Sequence, residues 1–141
     1  MVPIDNDNDM EDLKYILIYI SSKSNPVFKN IFKLLFKNNK RKASNSFIVE
    51  SIKDINLCKD FDFEFIEIII CSELISEQNM TYINKNLKNI IIHDFSLNLY
   101  QELIYKKKGE GLLALVKSKE NSLKNFTLSK TPYILIAESP E

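Results

Sequence analysis

"PVFKNIFKLLFKNNKRKASNSFIVE", residues 26–50, changes period partway along its length. Over residues 26–38, Val27, Phe28, Ile31, Leu34 and Leu35 fall on one face at helical spacing, which predicts an amphipathic helix. Asn25 can cap that helix, and Pro26 suits its first turn because the missing N–H would be unpaired there anyway. "SFIVE" at 46–50 is short, aromatic and β-branched, the composition of a strand. A helix running directly into a strand is the repeating unit of an α/β protein, and the rest of the chain continues the alternation.

"YILIYI" at 15–20 is a strand-sized apolar run. After residue 50, "SIKDINLCKDF" reads as a helix and "FEFIEIIICSEL" at 63–74 as a strand buried on at least one face. "TYINKNL" predicts a short helix leading to a strand at about 89–93 in "NIIIHD". Asp94 or Ser96 could cap a helix over "LNLYQELIY". "GLLALVK" at 111–117 and "PYILIAE" at 132–138 supply two more strands. The expected architecture is an α/β/α sandwich with helices on both faces of one sheet. The polar segment 118–131, "SKENSLKNFTLSKT", lacks a core stripe and reads as a linker. An apolar strand lying beyond it suggests that this strand belongs to a further unit.

A chain of 141 residues fits one domain able to bury its own core. With 45% hydrophobic and 27% charged residues, it has the profile of a folded soluble protein and not a disordered one. No apolar run reaches the roughly 18 to 20 residues that span a bilayer. The start, "MVPIDNDNDMED", is acidic where a secretory signal would be basic and then apolar, so a cytoplasmic location is expected. Cys58 and Cys71 lie in apolar segments without CxxC spacing or a nearby His, which favours buried reduced thiols over a metal site or disulfide.

Charge is distributed unevenly along this chain of zero formal net charge. From Lys23 to Lys42 there are seven Lys or Arg and no Asp or Glu. On the predicted helix, Lys29, Lys33 and Lys37 recur every four residues opposite the apolar stripe, flanked by Phe36 and, less squarely, Phe32. Lysine at this spacing is often only a solvated face. Here, however, like charges at i,i+4 repel, and no acid is interposed to relieve them. The following segment, "NNKRKASNS", read as a turn, adds Lys40, Arg41 and Lys42. Such a concentration makes a local positive potential suited to a polyanion, RNA or DNA. The two phenylalanines are either peripheral core or stacking faces for unpaired bases.

Residues 20–51, "ISSKSNPVFKNIFKLLFKNNKRKASNSFIVES", resemble the opening of SpoU/TrmH-type RNA 2'-O-ribose methyltransferases. The matching positions are Ser22, Asn25, Lys29, Arg41, Phe47, Val49 and Glu50. "GEGLLALVK" is similar to the family's G-[ILV]-[LAV]-A-[VL] strand, and "PYILIAESPE" to the strand that enters its knotted SPOUT catalytic domain. Ser51 departs from the glycine that usually follows the Glu, which puts a close backbone approach there in doubt.

The resemblance implies an RNA substrate-binding domain at 18–117, similar to ribosomal proteins that bind RNA kink-turns. It further implies the linker at 118–131 and the truncated start of the catalytic domain at 132–141. Residues 1–17 form a lead-in without assignment. The function implied is RNA binding on behalf of an S-adenosylmethionine-dependent 2'-O-ribose methyltransferase, with ribosomal RNA the foremost substrate. The family's catalytic motifs are missing, so this chain alone is expected to be inactive, to hold no cofactor or metal and to be monomeric. The parent enzyme would dimerise through the other domain. Asn25, Lys29, Lys33, Lys37, Lys40, Arg41 and Lys42 are the candidates for RNA contact. Glu50 is expected to orient Arg41 or cap the next helix in preference to touching a base.

Nothing in the sequence builds an independent catalytic site. His93 beside Asp94 lacks a nucleophile motif, only Gly109 and Gly111 are glycines, and Glu64 with Glu67 and Glu73 with Glu77 read as solvated edges. Two other readings stand: a freestanding RNA-binding protein of the same fold, and a non-RNA interaction domain.

Overall fold

The computed structural model describes residues 17–104, 109–120, 122, 124 and 126–138, and all but the side chain of Arg41 among its helical and strand residues. Its elements alternate: β1 (Leu17–Ile20), α1 (Pro26–Phe36), α2 (Asn38–Ser44), β2 (Ser46–Val49), α3 (Ile52–Asp60), β3 (Phe65–Ile70), α4 (Glu77–Asn86), β4 (Ile92–Phe95), α5 (Leu97–Leu103) and β5 (Leu112–Lys117). The strands form one mixed five-stranded sheet in the order β1-β4-β3-β5-β2. β1 and β3 both run parallel to β4, with Ile20 opposite Phe95 and Ile69 opposite His93. β5 runs antiparallel to β3 and β2.

Successive strand residues point to opposite faces, so each buried strand feeds two cores. On one face Ile69, Leu113 and Leu115 pack with Phe28, Ile31 and Leu34 of α1 and with Leu99, Tyr100 and Leu103 of α5. On the other, Ile68, Ile70, Leu112, Ala114 and Val116 pack with Ile55 and Cys58 of α3 and Ile83 of α4. The result is the expected α/β/α layering.

Gly111 illustrates how tightly the elements meet. Its φ of +77° lies in the left-handed region, and a Cβ there would stand 2.5 Å from the backbone nitrogen of Ile75. Only glycine fits, because the start of β5 is pressed against the turn that follows β3, where the Cys71 N–H donates to the Gly111 carbonyl at 2.8 Å.

Several boundaries depart from expectation. The helix predicted over 26–38 ends at Phe36, because Lys37 adopts extended angles (φ −121°, ψ 105°). "NNKRKAS" is a second short helix and not a turn; it stops at Asn45, which takes the left-handed conformation that Asn tolerates. The strand expected near 89–93 begins at Ile92, because Asn89 has φ of 62° and spends its position on a turn. α4 starts at Glu77, well before "TYINKNL", once Ser76 accepts the Asn79 N–H as a cap. Ser96, not Asp94, caps α5. Residues 132–138 form no strand: Tyr133, Leu135 and Ile136 are 102%, 94% and 88% exposed. An apolar run becomes a strand only where a neighbour accepts its backbone groups, and among the described residues none pairs with it. The fifth strand is instead Leu17–Ile20, at the sheet edge.

Candidate nucleic-acid interface

The site is built on α1. Ser22 and Asn25 form the turn before it, with the Asn25 N–H donating to the Ser22 carbonyl at 3.1 Å. The Asn25 side-chain oxygen accepts from the Val27 N–H at 2.8 Å, so this predicted contact residue has a structural task as the cap. Phe28, Ile31 and Leu34 are buried beneath the helix, while Lys29, Lys33 and Lys37 lie exposed.

Two parallel rows run along this helix at four-residue spacing. The lysine row is Lys29 and Lys33, continued by Lys37 at the C-cap just past the helix. The other, one residue behind it, is Phe28, Phe32 and Phe36, with ring centroids 6.0 Å and 4.7 Å apart in sequence order. Phe95 lies 5.9 Å beneath Phe28, so the rings lead from the buried core out to the surface. Phe28 is 4% exposed, Phe32 38% and Phe36 51%. The choice between peripheral core and open face is therefore resolved ring by ring: Phe28 is core, and Phe32 and Phe36 offer surface.

A groove of about 300 Å³ follows the rows, lined by Phe28, Phe32 and the three lysines. Its remaining lining is Lys23 and, from α5, Glu102, which form an ion pair. Among the described residues no carboxylate pairs with Lys29, Lys33 or Lys37. Lys33 in the last turn complements the helix dipole, but Lys29 stands in the first turn, where the dipole is already positive and a cation is disfavoured. An anion bound alongside would relieve that repulsion. Lys40 and Lys42 extend the exposed positive surface along α2; the side chain of Arg41 lies outside the described ones.

Reasoning from sequence missed Lys23 and Glu102 as groove residues. Lys23 sat at the margin of the basic stretch, but nothing local connects Glu102 to it; only the packing of α5 beside α1 does.

Other motif positions have structural roles. Phe47 meets Phe63 edge-on at 5.7 Å, and Val49 packs on the α3/α4 core. Glu50 is exposed, and the cap expected of it is supplied elsewhere: Ser51 Oγ accepts the Asp54 N–H at 3.1 Å, and Glu110 accepts the Ile52 N–H at 2.8 Å. Ser51 has φ of −129°, ordinary extended backbone, so no glycine is needed there. Orientation of Arg41 by Glu50 lies outside the described side chains.

His93 and Asp94 are not a dyad, because neighbouring strand residues face opposite ways. Asp94 accepts the Ser72 N–H at 3.0 Å, whereas His93 faces Glu67, with Nε2 and Oε2 3.9 Å apart. Glu67 is therefore not a solvated edge: its Oε2 is buried, as is His93 Nδ1. Burial lowers the His93 pKa, and the Glu67 carboxylate only partly opposes this. Cys58 and Cys71 are buried and free, and burial pushes both thiols up. Among the described residues no helix is long and apolar enough to cross a membrane.

The mixed α/β sandwich carries a cationic, aromatic helix face, and comparison with solved structures narrows the fold. The chain aligns with an RNA 2'-O ribose methyltransferase at TM-score 0.66 and 19% identity, covering 79% of this chain and 42% of that one. The SpoU methyltransferase AviRb from Streptomyces viridochromogenes, solved with AdoMet, aligns at TM-score 0.64 and 17% identity, over 74% and 40% of the two chains. An rRNA methyltransferase from Sinorhizobium meliloti gives 0.60 and 14%, over 78% and 40%. The chain thus spans about two fifths of the length of these enzymes and has the fold of that part. The resemblance to SpoU-type methyltransferases noted in the sequence holds at the level of fold. No family model matches the sequence, and no curated protein does.

Proposed function

We infer that this chain is the RNA-binding part of a SpoU-type RNA 2'-O-ribose methyltransferase. The observation that carries the reading is the lysine row along α1, which has no carboxylate partner among the described residues, set on a fold shared with part of such enzymes. The division of labour is physically sensible. Phosphate contacts by Lys29, Lys33 and Lys37, extended by Lys40, Arg41 and Lys42, fix the position of the RNA, and methyl transfer to a ribose 2'-hydroxyl takes place in another domain. That domain, entered through 132–141 after the linker 118–131, would be knotted, would bind S-adenosylmethionine and would hold the parent enzyme together as a dimer. The domain at 18–117 would then act like a kink-turn-binding ribosomal protein, with a structured ribosomal RNA as its partner, and would be monomeric by itself.

The test is a filter-binding series in increasing salt with a structured ribosomal RNA fragment. Each phosphate contact contributes a log-log salt slope of about 0.7 to 0.9. The double variant Lys33→Glu, Lys37→Glu is expected to bind more weakly and with a flatter slope while keeping its circular dichroism spectrum. Unchanged affinity and slope in the folded variant would show that the basic face is only a solvated surface.

A further inference from the structure

We propose that the groove beside α1 is a pocket for a single unpaired base, with guanine its preferred occupant. The proposal rests on the RNA-binding reading above and adds what the lysines cannot supply, a reason to distinguish one nucleotide from another. Lysine ammonium groups on α1 meet any phosphate alike. Phe32 offers something different: a half-exposed ring held from behind by Phe28 at 6.0 Å and from the side by Phe36 at 4.7 Å. Such a ring is a fixed platform, so a base stacking on it orders little that was mobile before. The cavity, about 300 Å³ and open to solvent, is lined by Phe32 together with Lys29 and Lys33, so a flat heterocycle stacked on the ring would have its flanking phosphates beside those lysines.

The edge chemistry of the groove selects among the bases. Lysines can only donate hydrogen bonds, and Glu102 is the one carboxylate among the described residues that line the cavity. Glu102 is already held by Lys23, which orients one oxygen and leaves acceptor capacity on the other. Guanine alone among the four bases presents two adjacent donors on its Watson–Crick edge, N1–H and N2–H₂, and two acceptors, O6 and N7, on its other side. It therefore matches a carboxylate on one edge and lysines on the other. Uracil offers that carboxylate one donor between two acceptors. An RNA duplex does not fit the proposal, because its bases are stacked and paired; a bulge, loop or single strand does. An acidic protein segment would satisfy the lysines but leave Phe32 and Glu102 without a task.

The experiment is fluorescence anisotropy of the full chain with short RNA hairpins that differ only at one bulged position: G, A, U, C or an abasic site. Stacking of one base is worth about fivefold to 150-fold in affinity by the usual range for aromatic platforms. The bulged G hairpin is expected to bind at least fivefold more tightly than the abasic one, with A intermediate. Phe32→Leu should abolish that difference while leaving the salt slope intact, and Phe32→Tyr should restore it. Glu102→Gln should bring G down to the level of A.

Equal, salt-dependent binding of all five hairpins would overturn the base pocket and leave the cationic interface standing. Binding without salt dependence would remove the interface as well. A polyglutamate competitor displacing the G hairpin as well as unlabelled hairpin does would identify the groove as a generic polyanion or acidic-protein site and overturn the proposal.

Discussion

His93 shows most clearly what burial does to a single residue. It is 6% exposed, its Nδ1 has no hydrogen-bond partner among the described residues, and its pKa is lowered from 6.5 by burial despite the nearby Glu67. A depressed histidine binds its proton more readily in the unfolded chain than in the native one. Its contribution is therefore complete above pH 6.5 and is lost as pH falls below 6.5 towards the native value, with a slope of at most about 1.4 kcal/mol per pH unit. Urea unfolding at pH 7.5, 6.5 and 5.5 should show stability declining across this window, and His93→Gln should flatten the decline. An identical profile in the variant would assign the acid sensitivity to carboxylates elsewhere. Sequence could name this residue as the only histidine, but not its neighbour. Glu67 meets it because β3 and β4 lie side by side in a particular register.

At the scale of the element, α1 was legible because its residues alternate roles with the period of a helix. Ile31 is 0% exposed between the sheet and α5, and the lysine two positions later is in solvent. Ile31→Ala should lower stability by about 2 to 5 kcal/mol in chemical denaturation, since it deletes buried groups and leaves a cavity. Lys33→Ala should move it by less than about 0.5 kcal/mol. Comparable losses in both would mean that the lysine row is structural. The end of the helix was less legible. Continuing to residue 38 would have kept Lys37 on the same axis, but the chain turns there into α2, so Lys40 and Lys42 leave the first row and extend the cationic surface on a separate element.

For the whole molecule, the decisive contrast is between the sheet and the segment after it. Lys119 still touches the folded body, donating to the Phe61 carbonyl and lying 4.5 Å above the Phe63 ring. Beyond it Phe126, Leu128 and Tyr133 are mostly exposed. A chain ending at residue 120 should therefore unfold within about 0.5 kcal/mol of the full chain and keep the same slowly exchanging amides in β3, β4 and β5. A marked loss of stability, measured by urea titration, would place 126–138 inside the cooperative unit and move the proposed domain boundary at 117.

By itself the sequence determined the helices and strands of the central sheet from residue 46 to 117, the faces that are buried and the position of the cationic helix, because these follow from periodicity and charge within a dozen residues. It misread 38–44 as a turn and 132–138 as a strand. Only the tertiary structure decided which apolar run completes the sheet. "YILIYI" and "PYILIAE" are locally equivalent, and Leu17–Ile20 of the first became a strand because β4 lies ready to pair with it in parallel. The same holds for the groove. Lys23 and Glu102 are distant in sequence, and their meeting depends on α1 and α5 packing on one face of the sheet, a long-range arrangement that no local pattern encodes.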